Sequence, residues 1–208
     1  MIYISDDYLT KYIDTLGYIF ARSIKEGYSL LHIEKVISYS QAIEELEKSN
    51  VTSIAFSSPE MLYSKMFPDS NNLDRFEYSP YDIFGWLGFV YIHLFLKYQI
   101  TFELMFFVLP IEKALSLYKL YHETDIQMMY ELFEQSVEHS YFDQILKYKN
   151  MSSNELSRLT GISFATIQSL RYKKRDINKA EIKILLKISI ALNIKITSLI
   201  DSLELSIG

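Results

Sequence analysis

The chain has no cysteine, which excludes disulfide staples, thiolate metal sites and cysteine nucleophiles, and fits a reducing cytosol. Glycine and proline are scarce, at 6 and 4 of 208 residues, and no repeat or low-complexity linker divides the sequence. Long apolar runs are missing as well. The richest, Ile83 to Leu96, is free of Asp, Glu, Lys and Arg, yet its 14 residues fall short of a membrane span, which needs ~18. Lys97 and Glu103 interrupt the apolar character beyond Leu96, so the run reads as a buried helix and no membrane association is expected. No export signal is expected either, because Asp6 and Asp7 stand where an apolar run would be needed, and the predicted location is cytoplasmic.

Catalytic signatures are equally absent. There is no Gly-rich phosphate loop, nucleophile elbow or paired-carboxylate motif. His32, His93, His122 and His139 lie far apart, and His122-Glu123 lacks the second histidine of a zinc helix. The expectation is a non-enzyme with no catalytic residue, metal or cofactor.

What is present is a large apolar fraction, 49%, which excludes wholesale disorder and supports a real core. The net charge of −5 is unevenly divided. Residues 1–140 carry 10 Lys/Arg against 20 Asp/Glu, a net −10; residues 141–208 carry 11 against 6, a net +5. An acidic body with a basic end implies that only the end approaches nucleic acid.

Helical periodicity predicts an all-α chain. A first helix, capped by Ser5, carries Tyr8, Leu9, Tyr12, Ile13, Leu16, Ile19 and Phe20 inward until Gly27. A second runs from Ser29 to Asn50, and Val51–Phe56 reads as a strand or an extended connection. Ser58-Pro59 and Ser79-Pro80 each read as an N-cap followed by proline at the first helical position. Between them, Pro68 to Asn72 is a loop. The helix after Pro80 is apolar on nearly every side, and Gly85 and Gly88 would let a neighbour approach closely. Pro110 opens another helix, Asp125 to Glu138 forms one more, and a short hinge is expected near Glu138–Tyr141.

The segment Ile145–Ile200 is the most explicit. Ser152 and Glu155 have capping-box spacing ahead of a short helix with Leu156 and Leu159 inward. Gly161 stands where a left-handed backbone ends that helix, and Ile162 plugs the turn. Ser163 caps the next helix, with Ile167 and Leu170 inward and Phe164, Ala165, Thr166, Gln168, Ser169 and Arg171 outward. The basic run Arg171–Arg175 comes directly after it. Asn178 and Glu181 repeat a cap pattern before a helix with Ile182, Leu185, Ile188 and Leu192 inward; Asn193 ends it and Thr197 starts a last one.

This layout resembles the lambda-repressor-like (Cro or XRE type) helix-turn-helix domain over Tyr141–Leu203, down to the closing Ala191-Leu192-Asn193-Ile194 and Leu199-Ile200. The resemblance implies a five-helix domain at 141–208; the opposite charge of the two parts, and a large helical first part without catalytic signatures, point to an acidic helical partner-binding domain at 1–140. It implies a recognition helix at Ser163–Tyr172 lying in the major groove of double-stranded DNA, usually as a homodimer. The family's base-reading positions fall on Ser163, Phe164, Ala165 and Ser169. Its backbone-contact positions fall on Ser153, Thr166, Lys173, Lys174 and Arg175, to which outward Gln168 and Arg171 are added. Phe164 and Ala165 suit thymine methyl groups, so an A/T-leaning site is expected. Lys173 stands where the family commonly has a turn glycine, and Arg171 where it commonly has Glu; both departures add positive charge.

Ser79–Phe95 and Leu109–Asp125 are similar to a helical domain of small regulators from low-GC Gram-positive bacteria, some beside toxin-like proteins. That resemblance implies an autoregulating antitoxin that represses its own operon and binds a cognate toxin. The competing expectation is a one-component factor sensing a small molecule in a pocket around Trp86.

Overall fold

The structure, a computed structural model, describes residues 6–47, 57–70, 76–137 and 139–200. Among the described residues there are 13 helices and no strand, so the all-α expectation holds. In chain order they are α1 (Asp6–Lys25), α2 (Leu30–Tyr39), α3 (Gln41–Glu47), α4 (Pro59–Met66), α5 (Ile83–Tyr98), α6 (Phe102–Val108) and α7 (Ile111–Tyr121). Then come α8 (Ile126–Ser136), α9 (Tyr141–Tyr148), α10 (Ser153–Thr160), α11 (Phe164–Arg171), α12 (Ile182–Leu192) and α13 (Ile196–Ile200), with a 3₁₀ turn at Ile177–Lys179.

The body is organised by α1 lying against α5. Asp6 and Asp7 open α1 and Arg22 and Lys25 close it, matching the helix dipole at both ends. On α5, Leu87, Val90, Tyr91 and Leu94 are fully buried. The two backbones touch at glycine: a Cβ on Gly88 would collide with the Ile13 carbonyl oxygen and lie 2.8 Å from the Gly17 nitrogen. Gly85 is needed for a different neighbour, the Pro80 carbonyl, which an added Cβ would overlap outright.

The last turn of α5 ends at Gln99, in the left-handed region at φ 51, and the chain bends by 110° into α6. Thr101 caps α6 through the Leu104 N–H at 3.2 Å, and all seven of its residues are buried. No single described helix is long and apolar enough to cross a membrane; only the bent pair α5–α6 meets that test jointly, and it is the core of this fold.

Several expectations are corrected. The helix from Ser29 is broken at Ser40, whose extended backbone (ψ 141) separates α2 from α3 while its hydroxyl serves both ends, donating to Ile37 and accepting from Ile43. Ser58-Pro59 caps α4 as expected. Ser79-Pro80 does not cap α5: Pro80 and Tyr81 form a turn, and the Asp82 carboxylate takes the Phe84 and Gly85 N–H groups at 2.8 and 3.2 Å. A carboxylate reaching two orphan donors is a stronger cap than a hydroxyl reaching one. The sequence reading gave no helix between Gln99 and Pro110, where α6 lies. Ser5, Val51–Phe56, Asn71, Asn72 and Glu138 lie outside the described residues.

The hydrophobic core is continuous from the body into α9–α13. Tyr141 lies 6.5 Å from Phe133 of α8, Tyr148 lies 4.8 Å from Phe107 of α6, and α9 packs along α6. Glycine at 88 is what lets α1 and α5 close over this core. Gly88→Ala is therefore expected to cost about 2–3 kcal/mol by forcing backbone apart. Urea unfolding checks this, and an unchanged midpoint would mean that the helices can separate cheaply.

Candidate nucleic-acid interface

The last five helices build their own local geometry from short-range signals. Ser140 caps α9 through Asp143 N–H at 3.0 Å, and Ser152 caps α10 through Glu155 N–H at 3.1 Å. Gly161 is left-handed at φ 68, and the Ile162 plug is fastened by the Ser157 hydroxyl donating to its carbonyl at 2.6 Å and by Thr160 accepting its N–H at 3.2 Å. Ser163 caps α11 through Thr166 N–H at 3.2 Å. Leu156, Ile167 and Leu170 fill the interior.

This packing presents one side of α11 to solvent. Ser163, Phe164 and Ala165 are exposed at its N-terminal end; Thr166, Gln168 and Ser169 are half-buried along it. Phe164, a large apolar ring, is 45% exposed on an otherwise polar edge. The Ser169 hydroxyl donates to Ala165 at 2.8 Å, and Ser163 and Thr166 hydroxyls pair at 2.8 Å, which sets their rotamers. Beyond the helix, Lys173 itself adopts the left-handed conformation at φ 55, supplying the turn for which glycine is commonly used. Lys173, Lys174 and Arg175 are exposed, and among the described residues none of the three makes an ion pair.

Two residues read as phosphate contacts have another task. Arg171 does not project outward: its Nε donates to Asp143 at 2.5 Å and an Nη donates to Ser153 Oγ at 3.1 Å, while Ser140 Oγ donates to the Arg171 carbonyl at 2.7 Å. Asp143 is fully buried, with Lys147 Nζ 3.1 Å from its second oxygen. Ser153 is likewise buried. A buried carboxylate requires a cation or donor at each oxygen, and Arg171 supplies one to Asp143. The sequence reading missed Asp143; the signal was available in the unusual arginine.

Two inward assignments and one cap are also corrected. Leu159 is 54% and Ile182 61% exposed, and Asp176 rather than Asn178 caps the 3₁₀ turn, leaving Glu181 at the start of α12 with no side-chain cap bond. On α12, Leu185, Ile188 and Leu192 are buried while Ile182, Leu186 and Ile190 form an exposed line. That helix is apolar on two sides, and periodicity alone does not say which is inward.

The body docks on α9, on the turn after α12 and on α13. Glu103, itself buried, accepts from the Lys195 N–H at 3.0 Å, the Ser198 hydroxyl at 2.6 Å and the Tyr39 hydroxyl at 2.6 Å. Glu34 accepts from the Tyr148 hydroxyl at 2.6 Å and the Ile111 N–H at 2.7 Å; burial pushes its pKa up, against those two donors. Glu47 accepts from the Phe102 N–H at 2.8 Å and pairs with Lys195 at 3.4 Å. Among the described residues the exposed face of α11 takes no part in this docking. Trp86 is packed edge-on against Tyr118 at 5.5 Å, so it is spent on the core. Among the described residues no three His, Asp or Glu side chains are arranged to hold a metal.

Residues 142–202 match the family model of the Cro/C1-type HTH DNA-binding domain. The chain carries a DNA-binding helix-turn-helix domain, and this supports a DNA-binding transcription regulator. No curated protein and no solved structure matches the chain, so the likeness of its first part to antitoxin-like regulators has no support from relatives.

The two classes of cation in the domain are separable by experiment. Arg171→Ala leaves Asp143 Oδ1 without its donor and Lys147 as the remaining cation beside the buried carboxylate, and is expected to destabilise the domain by about 2–3 kcal/mol. Lys173→Gln with Lys174→Gln should leave the melting temperature unchanged and flatten the slope of log K against log salt by about 2. Thermal melts and salt titrations of DNA binding check both; a destabilised double-Gln variant, or an Arg171→Ala variant of wild-type stability, would reverse the assignment.

Proposed function

We propose that this protein is a sequence-specific transcription regulator, acting as a repressor, that reads DNA through Ser163, Phe164, Ala165 and Ser169. The observation that carries this reading is the exposed N-terminal end of α11 beside three exposed cations that make no ion pair among the described residues. Phosphate contacts from Lys173, Lys174 and Arg175, with Thr166 and Gln168, supply affinity without base preference. The apolar ring of Phe164 and the Ala165 methyl favour thymine methyl groups, hence an A/T-leaning operator. A homodimer reading two half-sites is part of the proposal.

The body is proposed to bind a protein partner, and the antitoxin reading depends on that. Its support is an acidic surface joined to exposed large apolar side chains, Tyr81 at 93% and Leu120 at 71% exposure, in a fold with no catalytic signature. A cytoplasmic location fits both roles. Gel-shift assays with promoter fragments from the protein's own locus test the core proposal. Retardation at low ionic strength that weakens with salt is expected, with Phe164→Ala altering base preference at one or two positions. Folded protein that ignores every fragment at low salt ends the reading. Copurification with the neighbouring gene product, and rescue of growth when that product is toxic, test the partner role; a neighbour that neither binds nor harms cells removes it.

A further inference from the structure

A cavity of about 230 Å³ lies on the seam between the body and the DNA-binding domain, reached from α2, α6 and the end of α9. Its apolar walls include Phe106 and Phe107. Three donors line it without a strong partner. Ser38 is only 3% exposed, and among the described residues its hydroxyl has no hydrogen-bond partner. Lys35 and Lys149 face the same space, and among the described residues neither makes an ion pair. Lys149 lies 5.2 Å from the Phe107 ring centre. Burial lowers its pKa, Glu103 works against that, and the charge of Lys35 adds to the lowering.

The same wall holds Glu34 and Glu103, but their oxygens are already taken by Tyr148, Ile111, Tyr39, Lys195 and Ser198. The cavity therefore offers a visitor donors and aromatic surface. Neither ammonium group is held by those carboxylates, so a single carboxylate head finds free donors, whereas a second negative charge would face Glu34 and Glu103 with no further cation to meet it.

We infer that this cavity binds a small organic monocarboxylate, its head held by Lys35, Lys149 and Ser38 and its apolar part laid on Phe106 and Phe107. The volume equals roughly eight water volumes, which sets the ligand at about eight to ten non-hydrogen atoms. Because Lys35 and Ser38 belong to the body and Lys149 to the DNA-binding domain, the ligand bridges the seam and stabilises the docked arrangement. The inference goes beyond the DNA-reading proposal and does not rest on it.

Calorimetric titration of the full chain with benzoate and with hexanoate tests it, using benzamide as the uncharged match and inorganic phosphate as the multiply charged one. Saturable binding of a carboxylate is expected, about tenfold weaker for benzamide and phosphate, and weakened about tenfold by Lys35→Gln or Lys149→Gln. Ser38→Ala should weaken it several-fold. Lys35 is exposed, so its variant keeps the fold whatever the others do. Folded wild-type protein that binds neither carboxylate up to about 10 mM overturns the inference. So does carboxylate binding that survives both lysine substitutions, or phosphate or benzamide binding as tight as the carboxylates.

Discussion

Glu34, Glu47 and Glu103 fasten the DNA-binding domain to the body, and the rest of the arrangement depends on them. A buried carboxylate costs several kcal/mol unless its oxygens are bonded. Here the required donors come from both sides of the seam: Tyr39, Ile111 and Phe102 from the body, Tyr148, Lys195 and Ser198 from the domain. Tilting the domain away would cost Glu103 the Lys195 and Ser198 donors and Glu34 the Tyr148 donor together, so this docking is closer to a latch than to a hinge. The latch also resolves an electrostatic conflict. A body of net −10 beside a polyanion is repelled, and docking through α9 and α13 keeps that body off the face that carries Lys173, Lys174 and Arg175.

Within the domain the corresponding constraint is Asp143. Its burial obliges Arg171 to fold back, and that fixes the C-terminal end of α11 against α9 and α10 through Ser140 and Ser153. The N-terminal end is fixed independently by Ser163 and the Ile162 plug. A helix pinned at both ends presents Phe164 and Ala165 in one orientation, as the base reading proposed for them would require. The positive charge that sequence assigns to this region is thus of two kinds, with one arginine consumed by structure and three cations left for solvent.

What was legible in the sequence was local. Ser152, Gly161 and Ser163 announce α10 and α11 because a cap or a left-handed turn is decided within four residues. Ser58-Pro59 and the buried character of α5 were readable for the same reason. Illegible features depend on contacts distant in sequence. Ser40 breaks a periodic run by an extended backbone whose hydroxyl bonds to the end of α2 and the start of α3. Asp82 displaces Ser79 because Gly85 must sit under the Pro80 carbonyl. The seven residues of α6, buried on all sides, carry no periodicity to read. Ile182 and Leu185 look alike in sequence, yet on α12 the first is exposed and the second buried. In the site, the exposed face of α11 was legible, while Asp143, Glu34 and Glu103 were not, since a buried carboxylate is recognised only by its partners.

Glu34, Glu103, Tyr39 and Tyr148 are both wall of the seam cavity and parts of the latch, so no ligand can enter without touching the groups that hold the domain. A ligand at a hundredfold over its dissociation constant adds about 2.7 kcal/mol to the state that binds it. That is comparable to one hydrogen bond to a charged group, about 1.5–3 kcal/mol, and smaller than the combined bonds of the latch. Occupancy can therefore tighten the docked arrangement measurably but cannot create it. A binder of the undocked state would have to overcome the loss of the Lys195, Ser198 and Tyr148 bonds as well. Control through this seam is consequently biased toward reinforcement: the ligand adjusts how rigidly α11 is presented and does not switch between a presented and a hidden recognition helix.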